Sequence, residues 1–483
     1  MRTPRGAGRL AALLLLSVVV AACSPAPAPA PPATSAPPAT PAPDQGLPGR
    51  LVGAVTGDGV YRHLQELQRI ADANGGNRAL GTPGYDASVD YVAGVLRAAG
   101  YAVDTPEFTA HRFSVQEQRL TVDGTAVPTL ALGYSPATPA GGLRAPLAAA
   151  AGEGCDAAAL TGVPRGAVVL VRRGTCTFAQ KSTVAGTAGA VGLLVVNNED
   201  GPLSDGTLGE RPPGAVPTAG LSRADGEALF GRTGAPVELV LNTTVSELRS
   251  RNVIAQTGTG NADQVVMAGA HLDSVAEGPG INDNGSGSAT LLEVATQLGP
   301  TPPVTNAVRF AFWGAEEEGL LGSTAYVQGL DEADRGRIAL YVNLDMVGSP
   351  NAGYYVYDGD NSDNVGAGPG PNGSATLERV LVESLAAAGA PAAGTDFDGR
   401  SDYGPFIEAG IASGGLFTGA SEPMSAGDAQ RWGGDAGKPH DACYHQACDR
   451  IDTIDRTALD RNADATAATL ARFALSTDGL KTG

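Results

Sequence analysis

The sequence predicts an α/β protein: a mixed, mostly parallel sheet flanked by helices, interrupted by an inserted β-rich domain. Three observations predict it. From Asn252 onward, short apolar runs alternate with stretches of helical periodicity, the pattern of a largely parallel sheet covered on both faces. Two helical stretches stand far upstream of that region. Between them and it, from about His111 to Val245, lie short β runs broken by Gly and Pro. At 483 residues the chain has room for two or three domains.

The elements follow in order. Arg2, Arg5 and Arg9 precede an apolar stretch from Leu10 to Val20, the n- and h-regions of a signal peptide over residues 1–22. The apolar stretch is too short to span a bilayer as a mature helix. Val20-Ala21-Ala22-Cys23 resembles the lipobox of bacterial lipoproteins, which makes Cys23 the lipidated first residue of the mature chain. Ordinary cleavage at the Ala pair is the alternative, and it leaves an odd free thiol. Residues 23–49 are then a tether rich in Pro, Ala, Ser and Thr. The expected location is extracytoplasmic, anchored by lipid to the bacterial cell membrane or released. A net charge of −19 excludes a phosphate-binding surface, and with it nucleic acid as a partner.

Residues 50–110 are expected to open the α/β domain. Leu64, Leu67, Ile70 and Ala71 mark a helix from Tyr61 to Ala73. Val89, Val92, Val95 and Leu96 mark a second from Asp86 to Ala99, stopped by Gly100, with Gly81-Thr82-Pro83-Gly84 as a turn between them. The insertion is expected over 111–248. Its clearest strands are Ala167–Val171 and Gly192–Val196, joined by a short helix from Phe178 to Ala190. Residues 249–480 then carry the main part, with helices at Ser288–Leu298, Thr376–Ala388 and Thr457–Ser476. Cys155/Cys176 and Cys443/Cys448 are disulfide pairs by proximity, although sequence does not fix connectivity. Zinc ligation by the second pair competes with its oxidation.

Five metal-type side chains stand in this second half: His271, Asp283, Glu317, Asp345 and His445. Val265–Ala268 runs into His271, Val308–Phe312 into Glu316 and Glu317, and Ala339–Val342 into Asp345. Open α/β sheets place ligands at such strand C-termini, so the five are expected to share one crevice. Two imidazoles and three carboxylates suit zinc, and suffice for two ions if one carboxylate bridges. Asp283, in the Gly-rich turn Asn282-Asp283-Asn284-Gly285-Ser286-Gly287, is placed to offer both oxygens. Asp273, two residues past His271, shares its face on an extended strand end and is a partner for the ring or a nearby group. Of the adjacent carboxylates Glu316-Glu317-Glu318, one suits a ligand and another a general base. A loop closed at Cys443 and Cys448 would pin Tyr444 and His445.

These strings resemble the M28 group of secreted zinc aminopeptidases, of the bacterial and fungal leucyl type. The matching segments are Ala270-His271-Leu272-Asp273-Ser274, the Asn282–Gly287 turn, Phe312-Trp313-Gly314-Ala315-Glu316-Glu317, Asn343-Leu344-Asp345-Met346-Val347-Gly348 and Cys443-Tyr444-His445-Gln446-Ala447-Cys448. Within the insertion, Gly174-Thr175-Cys176-Thr177-Phe178-Ala179-Gln180-Lys181 and Val216-Pro217-Thr218-Ala219 resemble the protease-associated domain. The resemblance covers about Arg50 to Thr477 and implies the zinc exopeptidase fold, a mixed eight-stranded sheet flanked by helices. It implies two Zn2+ per chain, one held by His271 and Asp345, the other by Glu317 and His445, with Asp283 bridging. Glu316 is then the general base, Tyr444 the oxyanion donor, Arg400 a contact to the substrate backbone and Phe417 a wall of the side-chain pocket. The implied substrates are peptide or protein N-termini. Asp460 and Asp464, four apart on the last helix, form a candidate Ca2+ pair by the same resemblance, or merely a solvated helical face. A carboxypeptidase of the same fold, a glutaminyl-cyclase-like transferase and a non-catalytic peptide-binding lipoprotein are the other readings.

Overall fold

A computed structural model describes residues 46–480, except 204, 205, 210, 211, 365 and 367. Cys23, the signal segment and nearly all of the tether lie outside the described residues. What is described belongs to one compact unit, Pro43–Gly483.

The central sheet has eight strands, in the order Val103–Asp104, Val253–Gln256, Asn306–Trp313, Asn261–His271, Ile338–Leu344, Ser413–Phe417, Tyr355–Tyr357 and Ala393–Thr395. Its middle four run parallel, and antiparallel pairs flank them on both sides. The sheet is mixed and mostly parallel at its centre, as expected. Both faces are covered, which is why the strands read as continuous apolar runs. Val266, Ala268 and Ala270 face one core with Phe310, Phe312, Leu340 and Val342. Val265 and Met267 face the other with Trp313, Tyr341 and Phe406.

Helix Gly57–Ala73 starts earlier than its apolar stripe because the Thr56 hydroxyl accepts the Gly59 N–H. The expected turn at Gly81–Gly84 is half turn and half helix start: Leu80 and Gly81 turn, with the Thr82 N–H donating to the Ala79 carbonyl at 3.1 Å, and a helix begins at Pro83. Thr82 caps it by accepting the Tyr85 N–H, and Pro83 occupies the first turn, so the helix spans Pro83–Ala98. Turn and cap use the same residue types, and the apolar run behind them decides between the two. The remaining expected helices appear as Phe178–Ala188, Gly287–Leu298, Ser374–Ala387 and Arg456–Leu475.

The inserted sheet also has eight strands. It is joined to the rest of the fold by a long antiparallel ribbon, Glu107–Val122 with Pro236–Arg251. At the ribbon's root Phe108, Ala110 and Leu248 pack on Leu80, Ala315 and Leu321. The insertion therefore rests on the residue that immediately precedes Glu316.

Candidate metal centre

His271 is the last residue of its strand, Glu316 and Glu317 follow the Asn306–Trp313 strand, and Asp345 follows Leu344 directly. Those three strands are adjacent and parallel, with His271 opposite Trp313 and Gly269 opposite Asn343. Register alone thus brings three ligand-bearing ends to one edge. Asp283 arrives in the tight turn Ile281–Ser286, just before the Gly287–Leu298 helix. His445 arrives in the loop closed by the Cys443–Cys448 disulfide, and Cys155–Cys176 is likewise bridged. Oxidation removes Cys443 and Cys448 as zinc ligands, and closing so short a loop contributes about 2 kcal/mol.

Asp283 stands at the centre. Its Oδ1 is 3.3 Å from His271 Nε2, which is also 3.4 Å from Asp345 Oδ1. Its Oδ2 is 3.1 Å from His445 Nε2, which is 3.1 Å from Glu317 Oε2. Ligand-type atoms group into three triads here: His271–Asp283–Asp345 and Asp283–Glu317–His445, which share the Asp283 carboxylate, and His271–Glu316–Glu317. Glu316 Oε2 approaches His271 Nε2 at 3.9 Å from the side.

Neighbouring groups hold each ligand in place. The Asp273 carboxylate accepts the N–H groups of Glu316 (3.2 Å) and Glu317 (3.3 Å), while its carbonyl lies 3.2 Å from His271 Nδ1. Asp273 thus meets the ring through its backbone carbonyl and, at 3.7 Å, through its carboxylate, which also serves the two glutamates. Asp449 does the same for the bridging turn, accepting the N–H groups of Asn282 (2.7 Å) and Asp283 (3.0 Å). Asn284 ties that turn to the next strand end by donating to the Leu344 carbonyl and accepting from Met346 N. A buried chain of hydrogen bonds reaches Asp345. Trp313 Nε1 donates to the Tyr341 hydroxyl (2.8 Å), which donates to Asn343 Oδ1 (3.0 Å). The Asn343 amide donates to Ser401 (2.7 Å), whose hydroxyl donates to Asp345 Oδ2 (2.5 Å) and leaves Oδ1 facing His271. The Trp313–Tyr341 pair crosses Gly269, where a Cβ would collide with the Tyr341 hydroxyl. Ala315, Met346 and His445 all take left-handed backbone conformations (φ 59°, 46° and 58°). Each costs about 1–3 kcal/mol, a cost met where side chains must be aimed.

The electrostatics ask for cations. Burial, with Asp283 adding repulsion, pushes Glu317 up to about 7. Burial also raises Glu316 well above the usual carboxylate range, with His271 opposing. His445 is pushed up to about 10: burial disfavours its charged form, but Asp283 and Glu317 outweigh that. Glu317 Oε1 and Asp345 Oδ1 are buried without a hydrogen-bond partner. Orphaned carboxylate oxygens aimed into a nitrogen–oxygen cluster fit two divalent cations of the zinc type. The set passes that test.

A cavity of about 320 Å³ opens over the cluster, lined also by Tyr444, Arg400 and Phe417. Tyr444 stacks on His445 with ring centroids 3.8 Å apart. Burial, then the nearby Asp283 and Glu317, pushes its phenol far up, so it keeps its proton. His271, Asp283, Glu316, Glu317, Asp345, Arg400, Phe417, Tyr444 and His445 all line this crevice, while Asp273 lies buried behind the two glutamates and the calcium pair lies elsewhere. Asp460 instead accepts the Gly57 N–H at 2.6 Å, and Asp464, raised to about 6 by burial, joins no acidic cluster among the described residues. Another acidic group, Asp358, Asp360 and Glu378, is engaged with backbone amides. Sequence reading missed Arg78, Asn284 and Asp449 as site residues and passed over Ser401, although all but Arg78 lie beside or inside strings it singled out.

Residues 252–470 match peptidase family M28, and residues 143–229 match the PA domain. A Mycobacterium tuberculosis protein named as a probable lipoprotein aminopeptidase, LpqL, is 50% identical over 88% of this chain and 86% of its own. The chain belongs to peptidase family M28. Among solved structures, an aminopeptidase from Aneurinibacillus sp. strain AM-1 superposes with a TM-score of 0.74 at 26% identity, covering 89% of this chain and 96% of its own. BSAP, a zinc aminopeptidase from Bacillus subtilis, superposes with a TM-score of 0.63 at 28% identity, covering 88% and 97%. The M28 match opens at Asn252, where the ribbon has returned, and the PA match lies wholly inside the insertion. The M28 core nevertheless takes in Leu64, Leu67 and Val89 from the helices that precede the insertion.

Proposed function

We propose that the chain is an exported aminopeptidase that removes Leu or other apolar residues from peptide N-termini with two zinc ions. The observation that carries this is Asp283, whose two oxygens each face a separate histidine–carboxylate pair. His271 and Asp345 would hold one ion, Glu317 and His445 the other. Zinc in that place supplies Lewis-acid polarisation of the scissile carbonyl and lowers the pKa of a water to about 7.

The remaining work falls to this chain's own side chains. Glu316, at the edge of the cluster with its amide fixed by Asp273, takes a proton from the attacking water and delivers it to the leaving amine. Tyr444 donates its hydroxyl proton in a hydrogen bond to the developing oxyanion, a contact typically worth about 3 kcal/mol. A free substrate amine beside Glu316, Asp345 and the metal site would favour N-terminal residues. Phe417, at the end of its strand with its ring 6.2 Å from Tyr355, offers an apolar wall to the first side chain. Arg400 stands alone as Lys or Arg on the lining, enough for a backbone contact and thin for a substrate carboxylate. The lipobox at Cys23 and the lipoprotein relative support a lipid-anchored, extracytoplasmic enzyme. No described helix is long and apolar enough to cross a membrane.

The test is hydrolysis of leucine p-nitroanilide against its N-acetylated form, before and after chelation and zinc add-back. Cleavage of the free-amine substrate alone, lost to chelator and restored by zinc, is the expected result. Inactivity on both with two zincs bound would point to a carboxypeptidase, and inactivity without bound metal to a binding protein.

A further inference from the structure

Arg78 lies outside every motif of the site, yet its side chain is wholly buried beneath it. Its guanidinium bonds go to backbone carbonyls. Nε donates to Pro279 O at 2.9 Å, Nη2 to Gly280 O at 2.5 Å, and Nη1 to Leu272 O. Its own N–H donates to the Ser274 hydroxyl at 2.9 Å. Leu272 is the neighbour of the ligand His271. Gly280 caps the turn that carries the bridging Asp283, and its carbonyl also accepts the Gly285 N–H at 3.0 Å. One rigid fork thus fastens together the two loops that set the distance between His271 and Asp283.

The fork also carries a fixed positive charge into this region. Burial lowers its pKa to about 10, while Asp273, Asp449, Asp283 and Glu317 favour its charged form. A guanidinium is suited to that place because its charge is weakly hydrated and its donors are planar, so it can serve three carbonyls at once. Lysine could supply the charge from the same depth but not the fork.

We infer that Arg78 is a positioning residue of the metal centre: its guanidinium fixes the His271 and Asp283 loops at the separation the first metal triad requires. The inference rests on the two-zinc reading above, but it concerns ligand spacing and not turnover. Outer-shell partners of this sort typically change metal affinity about 10- to 100-fold.

The experiment compares wild type, Arg78→Lys and Arg78→Gln as full chains stripped of metal and titrated with zinc against a chromophoric chelator. The same proteins are then loaded with Co2+ and their visible absorption recorded as a report on ligand geometry. For Arg78→Lys the expected result is at least one zinc dissociation constant raised about 10- to 100-fold, with an altered Co2+ spectrum. For Arg78→Gln the same or a larger rise is expected. Wild-type affinities and spectrum in Arg78→Lys would overturn the inference, whether or not Arg78→Gln folds. A changed melting temperature alone, with both metal readouts intact, would also overturn it by leaving Arg78 a structural role only. Should wild type itself fail to take two zincs, the fault would lie with the functional reading and not with Arg78.

Discussion

Replacing Glu316 with Gln should leave two zincs bound and cut kcat by about 10²- to 10⁴-fold, the usual contribution of a positioned general base. The substitution keeps the side chain's volume and the backbone N–H that Asp273 accepts, so the ligand beside it stays in place. What it removes is the acceptor for the water's proton. A second readout separates this from damage to the fold. Burial raises Glu316 well above its ordinary range, so its favourable contribution is complete only below the unfolded carboxyl pKa and is lost as pH rises through the folded value. At neutral pH the metal-free carboxylate is therefore a burden, and metal-free Glu316→Gln should melt no lower than metal-free wild type. Metal content by atomic absorption, turnover and a melting curve check all three. Wild-type turnover would remove Glu316 from the mechanism, and loss of zinc would make it a ligand.

Asp283→Asn should have the second large effect. The amide keeps the shape of the carboxylate but leaves one oxygen, so it cannot serve the His271 and His445 sides together. Bound zinc should fall from two per chain to one or none, and activity should fall with it. Stability should follow, because each ion bound at a thousandfold excess over its dissociation constant is worth about 4 kcal/mol. The melting temperature in excess zinc should therefore drop further in this variant than in Glu316→Gln. Two zincs held with wild-type affinity by Asp283→Asn would rule out the shared carboxylate.

Much of this was legible in the chain because strands buried on both faces are mostly apolar until they end. Val265–Ala270 and Val308–Trp313 are apolar but for Arg309, so His271 and Glu316–Glu317 stand out where the strands stop. The Cys443–Cys448 loop was legible for another reason, since two cysteines five apart bracket a single histidine. Arg78 gave no such signal. It follows Gly75-Gly76-Asn77, where a lone arginine reads as solvated, and its partners lie 194 to 202 residues away. Backbone carbonyls leave no trace in sequence, so no pattern could name them. The short helix Leu321–Gly329 was missed because only Gly322, Ser323 and Val327 of it are buried, too few to make an apolar stripe. Ser401 reads as an ordinary loop serine until Asn343 and Asp345 are seen on either side of it.

The central claim is that one carboxylate joins two metal ions. Anomalous scattering from crystals of the zinc-loaded protein, recorded on either side of the zinc edge, tests it most directly. Two peaks about 3.5–4 Å apart with one Asp283 oxygen on each are the predicted result. A single peak, or two peaks with Asp283 on only one, would contradict it.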